Sequence, residues 1–453
     1  MQREKAKVGF ISVTCPTHIE AKTETGIDWV NNESVNNAVN VVKNMDFDVV
    51  QFNKIVDSVE DSFEAADLMI KEDVDCVIIF ITTWNWAAQI MQAVRKIGKP
   101  VILWAIPMPL AWNIGGLAVT HGSFDEVGYK HLTVYGSVDE EDVLKRIKSY
   151  IKACYVKNIL SKSTYGSIGG QGMGIHTGII DANQWMEEFG ILVSFTDQYA
   201  VVVEAEKIDR DKVTEYHNLL KSEYGQVPPL NDVTERSIRL YLGLEVIIKR
   251  EKYDFTGVKC TFDLSDNYCS ACLAQSRLSS RGYVTACLND SNGALTMYIL
   301  RLLTKEPLFM ADVNFIQKKE KIIRLIDDGS ASINLAKNPK EVKLDFQPTL
   351  EAKASGVCTG LICKPGRVTL ARFQRVLGYY QMQIVTGEAI EADPKLVYEC
   401  GYPMWPHAFI KLNGNIDAFI QNLRSEYIHM TYGELKDELL AVCDVLGIES
   451  VAS

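Results

Sequence analysis

The sequence lacks any apolar run near the ~20 residues that a membrane-spanning helix needs. Its amino terminus, Met-Gln-Arg-Glu-Lys-Ala-Lys, leads directly into the strand-like Val8-Gly9-Phe10-Ile11-Ser12-Val13 with no secretory leader. An excess of positive charge is missing as well. Lys and Arg number 47 against 58 Asp and Glu, a formal net charge of -11, which argues against sequence-blind binding to nucleic acid or anionic lipid. No internal repeat, low-complexity tract or long linker interrupts the chain. These absences predict a cytoplasmic protein whose partners are small molecules or other proteins.

What is present is the material of a large soluble protein. A chain of 453 residues, 47% hydrophobic and 23% charged, suggests roughly two to four domains. Its 11 cysteines would form a disulfide framework in a short secreted chain, but over this length and without a leader they read as reduced thiols. Cys269 and Cys272 form a C-x-x-C pair with Cys260 and Cys287 nearby. No second C-x-x-C follows, and the stretch 268–274 reads as a helix, so buried small hydrophobes are favoured over a zinc or redox site.

From Lys7 to about Pro107, β-rich runs alternate with helical ones: strands at 8–13, 48–52, 76–81 and 101–106, and helices near 35–43, 62–71 and 87–97. Such alternation implies βαβ units and a parallel sheet. A strand-like Leu132 to Tyr135 and a charged helix from Asp139 to Lys152 close this region. A second unit opens at Tyr165-Gly166-Ser167-Ile168-Gly169-Gly170-Gln171-Gly172-Met173-Gly174. Its glycines permit either close approach of backbone to a ligand or a turn needing positive φ, and the spacing is not that of a dinucleotide-binding turn. After about residue 335, short β runs divided by Gly and Pro favour a barrel or sandwich that ends in a helix through Leu446. The expected fold is α/β: two Rossmann-like parallel-sheet domains, 1–155 and 156–335, followed by a β-rich domain, 336–453.

The stretch most suggestive of chemistry runs from Cys287 to Asp312. Asp290 or Ser291 can cap a helix with an apolar face of Leu295, Ile299 and Leu302. Pro307 should end it before a short strand that delivers Asp312 at its carboxyl end, where open α/β sheets bind ligands. This segment resembles the L-fucose/L-arabinose isomerase family. So do Thr83-Trp84-Asn85-Trp86, the Gly-rich turn, Lys364 to Arg372, Trp405-Pro406-His407 and the terminal Tyr432-Gly433.

The resemblance implies interconversion of an aldose and a ketose through an enediol, with a divalent metal, usually manganese, polarising two substrate oxygens while carboxylates move a proton. It also implies a homo-oligomer with sites near subunit contacts. It places Asp312 as a metal ligand and, with Tyr427, at the reacting carbons. It further implies a sugar pocket lined by His407, Trp84, Trp86, Gln171 and Met173, where His407 is either a hydrogen-bond partner of sugar hydroxyls or a satisfied histidine at a strand start, and the tryptophans either stack on a sugar face or pack in core or interface. The sequence departs from the family pattern at three points. Leu288 stands where the family has a ligating glutamate, Tyr427 falls at the expected histidine, with Glu426 for the usual asparagine, and Gln171-Gly172 replace an Arg-Ser pair. Leu288 has no lone pair, and a neutral phenol is a poor manganese ligand. A site rebuilt from Asp312, His429, Glu426 and Asp290 is one alternative. Arg372 is read as a structural ion pair or an anion-binding group. Two classes of function stay open: a sugar ketol isomerase with an altered metal site, or a non-catalytic carbohydrate-binding relative.

Overall fold

The structure is a computed structural model and describes residues 3–17, 32–108, 110–347, 356–392, 394–399 and 402–452. The chain divides into two compact units, Met1–Ile159 with Leu440–Val445, and Leu160–Leu439 with Leu446–Ser453.

In the first unit, β1 (Lys7–Val13), β2 (Asp48–Val56), β3 (Cys76–Ile81), β4 (Val101–Ala105) and β5 (His131–Tyr135) form one parallel sheet in the order β2-β1-β3-β4-β5. That is the flavodoxin-like doubly wound order. β3 and β4 are buried along their whole length, as central parallel strands covered on both faces must be. Local signals set the helix limits. Ser58 caps Val59–Lys71 by accepting from the Asp61 amide at 3.1 Å, and Gly98, at φ 67, ends Ala87–Ile97.

The second unit holds another parallel sheet, built from β6 (Thr164–Ile168), β7 (Leu192–Thr196), β8 (Phe255–Val258) and β9 (Thr285–Cys287) in the order β7-β6-β8-β9. It also holds an antiparallel barrel of β10 (Leu308–Gln317), β11 (Ile322–Ile326), β14 (Gly366–Val376), β15 (Tyr379–Ile390), β16 (His407–Leu412) and β17 (Tyr427–Tyr432). The order β14-β17-β10-β11-β16-β15 closes because β14 also pairs with β15. β12 (Lys343–Phe346) pairs with β13 (Val357–Gly360), and β18 (Glu449–Ala452) joins β15 in parallel. The expected fold, parallel α/β sheets followed by a β-rich domain, is the observed one.

Two local readings are corrected. Residues 268–274 are not one helix: Asp263–Asn267 and Cys272–Ser280 are separate, with Cys269 buried between them. A hydrogen bond from the Tyr268 amide to the Leu264 carbonyl closes the first helix, and the second starts afresh at Ala271. All ten described cysteines are free and buried. Asp312, in turn, is not at the carboxyl end of a parallel strand. It lies in the middle of the antiparallel barrel strand β10, because Val313-Asn314-Phe315-Ile316 continues the alternation that pairs with β11.

Residue alternation positions the site. Phe309, Ala311, Ile323, Leu325, Leu370, Ala408, Ile410, Ile428 and Met430 share one apolar cluster and fill the barrel. The neighbours that alternate with them, Met310, Asp312, Tyr427 and His429, therefore face outward. The helix Ser291–Leu303, buried along nearly all of its length, packs against β14, β17 and β10 on this outer face.

Candidate functional site

The site lies where the carboxyl ends of β6 and β9 meet the outside of the barrel. After β9 the chain turns through Leu288 (φ 51) and Asn289 (φ 52), two consecutive left-handed non-glycine residues. Such backbone is uncommon and persists only when its surroundings hold it in place. The surroundings here are specific. Asn289 accepts from the Tyr165 hydroxyl at 2.6 Å and donates to Ser167 Oγ at 2.8 Å and the Gly170 carbonyl at 2.5 Å. The glycine-rich turn presses on the same point, since a Cβ at Gly172 would sit 3.0 Å from the Leu288 carbonyl oxygen. Gly169, Gly170, Met173 and Gly174 all have positive φ, so this segment is a tight turn packed on Leu288. Gln171 and Met173 are exposed on it.

Asp290 caps the helix Ser291–Leu303 by accepting from the Gly293 amide at 3.0 Å. Its two oxygens also receive the Nη1 and Nη2 of Arg372, the second at 3.0 Å, in a bidentate pair whose side chains are 2% and 1% exposed. Arg372 is thus a structural ion pair, and its guanidinium is already taken up by Asp290. Asn292 donates to the Thr177 carbonyl at 2.7 Å, tying the segment after the glycine-rich turn to the helix start.

On the barrel side, Asp312 pairs directly with Tyr427 across β10 and β17. Burial, and then the neighbouring Asp328, Glu426 and Asp327, push the Asp312 carboxyl up to about 8. Asp327 and Asp328 follow β11, whose Ile326 pairs with Asp312. Burial and Asp328 raise Asp327 to about 7, although it accepts from the amides of Gly329 at 3.0 Å and Ser330 at 2.6 Å. Burial also raises Asp328 and Glu426, the latter with Asp290 and Asp328 adding to the effect. The Tyr427 hydroxyl is driven well above the usual phenol range by burial and by Cys287 and Asp312 nearby. His429 is fully buried, neither ring nitrogen has a partner among the described residues, and burial beside Arg372 lowers it to about 3. A Cβ on Gly293 would meet His429 Nε2 at 2.8 Å, so the histidine abuts the helix start.

The structure therefore brings Asp312, Tyr427, Glu426, Asp327 and Asp328 into one cluster, with His429 and the Asp290–Arg372 pair beside it. The other expected residues stand differently. His407 opens β16 opposite Ile326, its Nε2 is 3.2 Å from the Tyr402 carbonyl, and burial lowers it. Trp84 is half-buried and Trp86 exposed in the first unit. Asp327 and Asp328 were missed by sequence reasoning, and the Asp-Asp-Gly-Ser turn after an apolar strand was the signal for them. A cavity of about 470 Å³ lined by Glu341, Lys343, Asp345 and Tyr398, among others, includes none of these residues.

Manganese takes carboxylate oxygens and imidazole. The set here does not provide them in the required form. No three of Asp290, Asp312, Asp327, Asp328, Glu426 and His429 bring ligand atoms within 4.8 Å of one another, and Leu288 is apolar. These residues do not fit a compact three-ligand manganese site.

In the second unit a four-stranded parallel sheet and a closed antiparallel barrel stand together, with an acidic cluster on the outer face of the barrel, and that defines an α/β protein with an acidic site. Residues 331–452 match the family model of the L-fucose isomerase C-terminal domain. The chain is 20% identical to a sulfoquinovose isomerase of Clostridium sp. (strain MSTE9), over 98% of each chain. It is 23% identical to a sulfoquinovose isomerase of Alkalicoccus urumqiensis over 71% of this chain and 74% of that one, and 20% identical to one of Priestia aryabhattai over 89% and 91%.

Proposed function

We propose that this chain is a sugar isomerase that interconverts an aldose and a ketose, with an altered metal site. The observation that carries this reading is the register of Asp312 against Tyr427, with Glu426 and Asp328 beside them, at the end of β9. Aldose–ketose exchange needs a group that removes a proton from one carbon and returns it to the next, and a partner that moves the hydroxyl proton. Glu426, the exposed carboxylate of the cluster, takes the role of the base that removes the carbon-bound proton in this reading. Asp312, held toward its neutral form, donates to the carbonyl oxygen as charge develops on it, and the Tyr427 hydroxyl supplies a second hydrogen bond. A carboxyl kept neutral beside a second carboxylate is a recurrent way to divide acid and base roles.

The charge balance bears on substrate class. The one guanidinium beside the cluster, Arg372, is paired with Asp290, and the other side chains there are acidic, so the site offers a sulfonate little cationic attraction and suits an uncharged polyhydroxylated sugar. The alternative, a non-catalytic carbohydrate-binding relative, is favoured by one observation, the apolar Leu288 at the turn where a ligating glutamate is expected. Incubation of the purified protein with pentoses, 6-deoxyhexoses and sulfoquinovose, followed by resolution of aldoses from ketoses, tests the proposal. Interconversion of a neutral sugar supports it. Binding without interconversion of any sugar supports the alternative.

A further inference from the structure

We propose that His121, Asp125 and His131 form a divalent transition-metal site of zinc type in the first unit, separate from the acidic cluster described above. His121 and Asp125 lie one helical turn apart on the helix Asn113–Glu126, and His131 opens β5 after the short connection that follows it. One ligand atom from each of the three lies within 4.8 Å of the others, a grouping found nowhere else among the described residues. His121 Nδ1 is 2.7 Å from His131 Nε2, and Asp125 oxygens lie 3.4 Å from His121 Nε2 and 3.9 Å from His131 Nε2.

The lone pairs of the three side chains converge. His131 Nδ1 is 2.7 Å from the Tyr129 carbonyl oxygen. That oxygen can only accept, so Nδ1 carries the hydrogen of a neutral His131 and Nε2 presents a lone pair. If neutral His121 donates from Nδ1 to that lone pair, its own Nε2 lone pair faces the Asp125 carboxylate. If it donates from Nε2 to Asp125, two imidazole lone pairs face each other at 2.7 Å. Thr133 Oγ1, 3.1 Å from His121 Nδ1, can donate to one of those lone pairs and not to both. In either tautomer of His121 lone pairs converge on one point among the three side chains, an arrangement that a metal ion between them would satisfy.

The surroundings favour the metal. The Tyr129 carbonyl behind His131 Nδ1 fixes the tautomer that leaves Nε2 free to ligate, the usual backing of a metal-bound histidine. Phe124 packs edge-on against the His131 ring at 5.1 Å and 90°, which holds its orientation, and the His131 side chain is only 6% exposed. His121 and Asp125 are 43% and 62% exposed, so they can open around an ion, and solvent can reach the fourth position. Two imidazoles and a carboxylate with one open position make a donor set that zinc accepts, with metal–nitrogen distances of about 2.0–2.1 Å. Tetrahedral geometry at that distance separates ligand nitrogens by roughly 3.3 Å, so the facing rings need to part by only a fraction of an ångström.

The test uses the full chain after chelator treatment, titrated with Zn²⁺ alone by calorimetry and with Co²⁺ followed by visible absorption. The expected result is one equivalent of zinc and a cobalt spectrum of tetrahedral type. His121→Ala and Asp125→Asn should each weaken zinc at least tenfold, while Asp312→Asn leaves zinc binding unchanged. Both substituted side chains are solvent-exposed on a helix, and circular dichroism confirms that the variants fold. No zinc uptake, or uptake equal in the His121→Ala, Asp125→Asn and parent proteins, overturns the proposal and leaves the pair as an imidazole–imidazolium hydrogen bond.

Discussion

The Asp290–Arg372 pair is predicted to be worth more as a pair than either partner is alone. Arg372→Leu removes both guanidinium donors from a carboxylate that is 2% exposed and leaves it only the Gly293 amide. Removing one partner of a buried, hydrogen-bonded ion pair typically costs about 3–5 kcal/mol, because the other charge stays buried without compensation. Asp290→Asn keeps a good capping side chain but strands the Arg372 guanidinium, which is 1% exposed, and should cost a similar amount. The double variant removes both charges, so its cost should fall short of the sum of the singles by about 2 kcal/mol or more. Urea unfolding of the four proteins, followed by circular dichroism with unchanged m values, measures this coupling. A cost below about 1 kcal/mol for Arg372→Leu, or additive singles, would refute the view that this pair locks the helix start onto the barrel.

Three further outcomes follow from the same geometry. Gly293→Ala, though it adds a better helix former, should destabilise by about 1–3 kcal/mol in thermal unfolding, because its Cβ would lie 2.6 Å from Asp290 Oδ2 and 2.8 Å from His429 Nε2; an unchanged midpoint would contradict it. Asp312 has a folded pKa of about 8, above the ordinary carboxylate value of 3.8, so the folded state holds a proton that the unfolded state releases. Its stability contribution is therefore present at low pH and is lost between about pH 4 and 8. Asp312→Asn should flatten that decline and be the more stable protein at pH 8, and a parent profile without the decline would show that the carboxylate is compensated by a cation. Leu288→Glu combined with Tyr427→His should raise manganese affinity, read by calorimetry, by more than the two single changes summed, because ligands on one ion are coupled; additive or absent gains would mean that these are not the positions of lost ligands.

Much of the fold was legible because its signals are local. Apolar runs such as Cys76–Ile81 and Val101–Ala105 read as parallel strands and are central ones, and of the two capping candidates, Asp290 and Ser291, it is Asp290 that starts the helix. The glycine-rich segment could be read either as a loop admitting a ligand to the backbone or as a turn needing positive φ, and the positive φ values are there. The site was only partly visible. Asp312 and Tyr427 were named together and are cross-strand partners, yet the strand that carries Asp312 was assigned to the wrong kind of sheet. A ten-residue run after Pro307 does not reveal whether its partners are parallel or antiparallel. Arg372 and Asp290, 82 residues apart, meet only because the barrel packs on the helix, and no periodicity encodes that meeting. The His121–His131 contact is hidden for the same reason, since a helix and the strand after it do not disclose in sequence which side chains will face each other.

The most direct test of the central claim is solvent-deuterium incorporation at the second carbon of aldoses, read by NMR for the parent protein and for Asp312→Asn and Glu426→Gln. A proton-transferring isomerase should label at least one neutral aldose, and each variant should label it about a hundredfold or more slowly while calorimetry shows the sugar still bound. Label absent from every sugar that the parent binds, or label unaffected by both substitutions, would contradict the claim that this acidic cluster moves a proton between neighbouring carbons.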